Sequence, residues 1–145
     1  MIGLLQRVNW AQVRIEGKLH AEIGRGLLVF VGLEQGDDTA RADKLLDKLL
    51  ALRVFGDQDG KMNLDLKLAG GELLLVSQFT LAATTDKGLR PGFSTAMPPA
   101  PARELYEYLL VTARNRHEVV ASGEFGADMK IALENDGPVT FILRT

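Results

Sequence analysis

Leu73-Leu74-Leu75-Val76 sets four aliphatic side chains in succession, and Ser77-Gln78-Phe79-Thr80-Leu81 follows without a break. The run is bounded by Gly70-Gly71 and by Ala82-Ala83-Thr84-Thr85-Asp86, which predicts a central strand buried on both faces rather than a helix. At its end the residues change to hydroxyl, amide, aromatic and hydroxyl. An unpaired buried hydroxyl or amide costs roughly 1–3 kcal/mol. These groups therefore need partners, in the protein or in a ligand.

The flanking patterns supply a sheet around that strand. Leu4, Val8, Trp10, Val13 and Ile15 alternate imperfectly, and the change of phase near Ala11 predicts a bulge. Glu16-Gly17 marks a hairpin into Leu19–Ile23, and Gly24-Arg25-Gly26 turns the chain into a second apolar strand, Leu27–Leu33. Met129, Ile131 and Leu133 alternate in one late strand and Val139, Phe141 and Leu143 in another, with Asn135-Asp136-Gly137-Pro138 read as the connection between them.

Two helices complete the pattern. Asp37-Asp38-Thr39 offers N-cap side chains to a helix with Ala42, Leu45, Leu46, Leu49 and Leu50 on one face. Met97-Pro98-Pro99-Ala100-Pro101 stiffens the entry to a second, whose apolar face is Ala102, Leu105, Tyr106, Leu109, Leu110 and Ala113 and whose end is expected at Ser122-Gly123. Before it, Lys87–Ser94 is basic and punctuated by glycine. The expected fold is α+β: one domain over residues 1–145, a curled, barrel-like sheet with the two helices packed outside.

Bulk properties remove several classes. A chain of 145 residues buries roughly two-thirds of its unfolded surface and needs no metal or disulfide to hold it together. With no cysteine there is no disulfide framework, thiolate metal site or thiol nucleophile. The net charge of −2, with both signs interspersed, argues against a broad nucleic-acid-coating face. Neither a signal peptide nor a run near the ~20 residues of a membrane span is visible. A soluble, cytoplasmic protein is expected.

Known catalytic patterns fit poorly. Asp57-Gln58-Asp59-Gly60 lacks the spacing of a calcium loop and reads as a solvated turn. Gly92-Phe93-Ser94-Thr95-Ala96 is a near miss of a nucleophile elbow, which needs a helix after the serine where this chain has prolines. Ser77 or Thr80 with His20 or His117 as base remains open. Gly137-Pro138 stands out because an X-Pro bond is the one most able to be cis; its alternative is an ordinary stiff turn.

Ser77-Gln78-Phe79-Thr80-Leu81 together with Asn135-Asp136-Gly137-Pro138-Val139-Thr140 resembles the paired signature of the D-aminoacyl-tRNA deacylases. The likeness extends over nearly the whole chain, through Gln6-Arg7-Val8, Gly60–Leu64, Gly88–Phe93 and Phe125–Met129; where the family commonly has Ser after Arg90-Pro91, this chain has Gly92. The resemblance implies a homodimer, without cofactor or metal, that hydrolyses the ester between a D-amino acid, or glycine, and the 3′-terminal adenosine of tRNA and spares L-aminoacyl-tRNA. Its partners would be a second copy and that aminoacyl-adenosine, not a membrane or DNA. Ser77, Gln78 and Thr80 would then form the reaction centre with Phe79 beside them, their backbone amides near the ester. Gly137 and Pro138, joined by a cis bond, would reach into the partner subunit's pocket, hold the α-amino group and exclude an L side chain. Phe125 and Met129 would lie near the adenosine, and Arg7 beside the same pocket. Two other readings stand next to this one: a non-catalytic module that binds the tRNA 3′ end, and a general esterase using Ser77 or Ser94.

Overall fold

The computed structural model describes residues 1–86 and 88–145; Lys87, at the start of the basic loop, lies outside the described residues. The elements are β1 (Ile2–Ile15), β2 (Lys18–Ile23), β3 (Gly26–Gly32), α1 (Thr39–Ala51), β4 (Phe55–Gly56), β5 (Met62–Leu64), β6 (Glu72–Ser77), a 3₁₀ turn (Phe79–Ala82), α2 (Pro99–Arg116), β7 (Val120–Ser122) and β8 (Met129–Arg144). The main sheet runs β2-β1-β3-β6-β7, and β8 pairs with the other edge of β1. β2 comes back against β6 and β7, so the sheet is nearly closed. The expected α+β architecture with two outer helices is what forms.

β6 is parallel to both β3 and β7. Parallel neighbours need crossovers, and α1 and α2 supply them on one face. The apolar run of β6 therefore serves two cores. Leu73 and Leu75 face the helices, while Leu74 and Val76 point into the curled sheet with Val8, Val13 and Leu28. The same alternation runs along β3. All six predicted apolar residues of α2 are buried, as are Ala42, Leu45, Leu46 and Leu49 of α1. Asp38 caps α1 by accepting from the Arg41 amide at 2.9 Å. Asp37 turns inward and pairs with the N-terminal amine of Met1 at 2.6 Å.

Glu16 and Gly17 have φ of 51° and 77°, the left-handed pair that a tight two-residue hairpin requires. The irregularity of β1 falls around Arg7 and Asn9 against β8, just before the expected place, and again between Val13 and Arg14 against β2.

Two expectations are corrected. α2 ends at Arg116, capped by His117, not at Ser122-Gly123. The apolar period stops at Ala113, and residues 120–122 instead pair with β6, whose edge would otherwise be bare. Residues 129–144 are not a hairpin either. They form one strand that follows β1 from end to end, so Asn135–Pro138 does not reverse the chain. Gln6 pairs with Thr140 and Val8 with Asn135, which leaves residues 136–139 opposite Arg7 alone. The Gly-Pro segment is a bulge in a strand, because both alternating stretches find the same continuous partner.

Candidate active site

The polar end of β6 opens into a cavity. β6 stops at Ser77, where the Gln78 amide donates to the Val31 carbonyl at 2.8 Å. The chain then winds into the 3₁₀ turn, closed by Leu81 N–H to Gln78 C=O and Ala83 N–H to Thr80 C=O. Phe79 and Thr80 thus lie on a turn rather than on the strand. As its first two residues, their N–H groups have no carbonyl of the same turn to bond. Of the amides read as lying near an ester, that of Gln78 is already engaged; those of Phe79 and Thr80 have no acceptor among the described residues. The Gln78 Nε2 lies 2.5 Å from Thr80 Oγ1, so the hydroxyl accepts from the amide.

The cavity is about 600 Å³, inside the range of roughly 300–1,000 Å³ usual for ligand pockets. It is lined by apolar Val31, Leu33, Met97 and Ala102, by Ser77, Gln78 and Phe79, and by Phe125 to Met129; Thr80, next along the turn, is not among the lining residues. Phe93 packs against exposed Phe79 with ring centroids 5.1 Å apart and the planes tilted by 53°. The wall that carries Phe93 is tied to the end of β3 by Gln35 N–H to Thr95 C=O and Met97 N–H to Leu33 C=O, and Thr95 Oγ1 donates to the Ala82 carbonyl. Gly92 pairs with Thr84 through both backbone amides, and a β-carbon there would stand 2.8 Å from Thr84 Oγ1, so a larger residue requires that hydroxyl to turn. Phe125 packs on Tyr106 of α2 at 5.9 Å, and the Tyr106 hydroxyl donates to the Leu75 carbonyl at 2.9 Å. Burial pushes the Tyr106 hydroxyl well above its ordinary pKa.

The second group of predicted residues sits elsewhere on the chain. Gly137 and Pro138 are exposed at the tip of the β8 bulge and are not among the residues lining the cavity. The bond between them is cis. Arg7 braces the bulge: Nε donates to the Asp136 carbonyl at 3.0 Å and lies 3.1 Å from its carboxylate, and Nη1 donates to the Val54 carbonyl at 2.5 Å. Asn135 clasps the neck, accepting from the Val139 amide at 2.7 Å and donating to Thr140 Oγ1 at 2.9 Å. Sequence reasoning passed over Asn135 as a clasp and Phe93 as the packing partner of Phe79. An Asn four residues before the residue it bonds was the available signal for the first.

The remaining candidates have other uses. Asp57 is spent on its own turn, accepting from the amides of Asp59 and Lys61 and from Asn63 Nδ2, and these bonds hold its carboxyl below the usual range. Ser94 lies in a turn, not between a strand and a helix. His117 contacts the Gly71 carbonyl at 2.8 Å, and Gly71 lies six residues, about 20 Å of strand, from Ser77. His20 is exposed on β2. Neither histidine serves a hydroxyl at the cavity.

The family model described as D-Tyr-tRNA(Tyr) deacylase matches residues 4–144. The chain belongs to that family. It is 61% identical over 145 residues to the D-aminoacyl-tRNA deacylase of Stutzerimonas stutzeri, with 100% of each chain covered. The enzyme of the same name from Actinobacillus pleuropneumoniae is 59% identical, with 99% of each covered. Among solved structures, "c-Myc DNA Unwinding Element Binding Protein" superposes with a TM-score of 0.95 at 38% identity, covering 100% of this chain and 99% of that one. A probable eukaryotic D-amino acid tRNA deacylase shares the fold, with a TM-score of 0.85 at 17% identity and 99% and 98% coverage. The deacylase resemblance read from Ser77–Leu81 and Asn135–Thr140 is thus met at the level of the family. No helix among the described residues is long and apolar enough to cross a membrane.

Proposed function

We propose that residues 1–145 act as one D-aminoacyl-tRNA deacylase domain, an ester hydrolase that frees a D-amino acid from the 3′-terminal adenosine of tRNA in the cytoplasm. Family membership and full-length identity of about 60% to relatives of that name support the activity. The finer reading rests on one observation: the reactive-end residues and the Gly-Pro bulge lie in separate places on a single chain. Two copies, each lending its exposed bulge to the other's cavity, would bring them together. The enzyme is a homodimer in this reading.

The chemistry needs little from the side chains. An aminoacyl ester is already activated, and water attacks its carbonyl carbon. The free amides of Phe79 and Thr80 receive the developing oxyanion, each such donor being worth about 2.7–4 kcal/mol. The ester C–O bond then breaks, and the ribose 3′-oxygen leaves with a proton. Thr80 Oγ1, accepting from Gln78 and with no basic hydrogen-bond partner among the described residues, positions rather than attacks. The substrate's ribose 2′-hydroxyl helps to activate the water. Phe125 and Met129 flank the adenosine.

Rejecting an L-amino acid about ten-thousandfold requires roughly 5.5 kcal/mol. A bulge braced by Arg7 and Asn135 supplies this by exclusion, since a yielding loop would admit the L side chain. Exclusion of L, rather than capture of a D side chain, also admits glycine. The test is hydrolysis of D-tyrosyl-, L-tyrosyl- and glycyl-tRNA at sub-stoichiometric protein, with the mass of the particle measured alongside. Loss of the D and glycyl esters with the L ester intact, by a particle of twice the chain mass, is the expected result. Equal loss of all three overturns exclusion. Binding without loss of any ester identifies a non-catalytic module for the tRNA 3′ end.

A further inference from the structure

If an aminoacyl-adenosine fills the cavity, the rest of the tRNA leaves across its rim, and the first group outside is the phosphodiester to the preceding nucleotide. Among the described residues, two cations stand beside the Phe125–Met129 wall of the cavity, Lys130 and Arg103. Lys130 contacts a lining residue but is held by the Asp128 carboxylate at 2.9 and 3.0 Å. Arg103 differs. Its guanidinium lies 5.0 Å from the centroid of the Phe125 ring, and Nη2 donates to the Phe125 carbonyl at 3.3 Å. It takes part in none of the ion pairs among the described residues. Its acidic neighbours along α2, Glu104 and Glu107, are not paired with it among the described residues.

We infer that Arg103 is a positioning residue for the tRNA end, binding the phosphate on the 5′ side of the terminal adenosine; this rests on the deacylase reading above. A guanidinium seated on an aromatic face keeps its fork of donors oriented, and that fork matches phosphate oxygens two at a time. Phe125 thereby links the two halves of the substrate: its ring lines the cavity, and its ring and carbonyl hold the cation outside. Arg103 separates a polynucleotide-borne ester from a free nucleoside ester and leaves the chemical step alone. A single phosphate contact also accords with a chain of net charge −2 that grips only the tRNA terminus.

The experiment compares wild type, Arg103→Gln and Arg103→Lys on D-tyrosyl-tRNA and on 2′(3′)-O-D-tyrosyl-adenosine, which has no phosphate. Arg103→Gln is expected to lose roughly tenfold in kcat/KM on the tRNA ester at low salt, as for one charged hydrogen-bonded contact. On the nucleoside ester it should match wild type. The dependence of log kcat/KM on log salt should become shallower by about 0.7, the contribution of one phosphate on a single strand, and Arg103→Lys should retain the wild-type slope. Equal losses on both esters would overturn the inference, because Arg103 would then act only by propping Phe125. So would an unchanged rate on tRNA. A wild-type protein inert on both esters overturns the deacylase reading itself, a different result from an active wild type indifferent to Arg103→Gln.

Discussion

Arg7 grips Asp136 through both its backbone and its side chain: Nε lies 3.0 Å from the carbonyl oxygen and 3.1 Å from the carboxylate. One side chain of β1 thus sets the base of the β8 bulge while its Nη1 is anchored on Val54. Arg7→Ala leaves two carbonyls short of donors in a half-buried place, at a cost of about 1–3 kcal/mol. The urea midpoint should fall. The ratio of D- to L-tyrosyl-tRNA turnover should fall by about tenfold or more, equivalent to ~1.4 kcal/mol or more of lost discrimination. Arg7→Lys keeps the charge but lacks the fork, so an intermediate ratio is expected. An unchanged ratio would show that the brace has no part in selectivity.

Gly137 has φ of +140°, a region that side chains rarely adopt, and an added β-carbon would stand 2.6 Å from Val139 Cγ2 and 3.2 Å from Arg7 Nη2. Gly137→Val should therefore reshape the tip of the bulge. Turnover of D-tyrosyl- and glycyl-tRNA is expected to fall together, measured as paired initial rates. A loss confined to one substrate would argue against a shared pocket.

Thr80→Ala discriminates positioning from attack. Removing a covalent nucleophile costs on the order of 10⁶-fold in turnover, whereas removing a hydroxyl that only accepts from Gln78 is expected to cost about tenfold or less. Single-turnover rates on D-tyrosyl-tRNA settle the point. Near-normal turnover eliminates Thr80 as the nucleophile.

Asp37 and the N-terminal amine of Met1 form a fully buried pair at 2.6 Å, and the second Asp37 oxygen accepts from the Glu34 amide at 2.7 Å. Asp37→Asn removes the nearer of the amine's two carboxylates, leaving Glu34 at 3.3 Å and the Thr145 carbonyl at 2.9 Å, and is expected to destabilise the fold by about 1–3 kcal/mol. Chemical denaturation of the two proteins measures it. A change under ~1 kcal/mol would mean that Glu34 alone suffices as the amine's counter-charge.

Tyr106 carries a pH prediction. Its hydroxyl titrates higher in the folded state than its ordinary value near 10, because burial disfavours the phenolate. The folded chain holds this proton more tightly than the unfolded one, so the contribution is complete below pH ~10 and is lost as pH rises further. Tyr106→Phe should lower stability at neutral pH by about 1 kcal/mol, through the lost bond to the Leu75 carbonyl. It should also flatten the decline above pH ~10. Denaturation midpoints from pH ~8 to ~11 separate the two effects; parallel curves for both proteins would exclude Tyr106 as their source.

Much of this molecule was legible locally. Apolar runs of four or more residues, helical spacing at Leu45-Leu46-Leu49 and at Leu105-Tyr106-Leu109, and the Glu16-Gly17 turn each state their own conformation, because period and backbone preference act over a few residues. Ser77–Thr80 and Gly137-Pro138 could be singled out as residues for the same reason. What no local pattern contains is which edge a segment will pair with. Residues 120–122 join β6 because that edge is open, and 129–144 remain one strand because β1 runs beside both halves. For the same reason tertiary pairing decided that Gly137-Pro138 projects from a strand braced by Arg7, and that Gln78 spends its amide on Val31 while those of Phe79 and Thr80 find no acceptor among the described residues. Sequence by itself determined which residues prefer strand, helix or turn and which are unusual. Only the folded chain decided what each of them faces, since that depends on partners far away along the backbone.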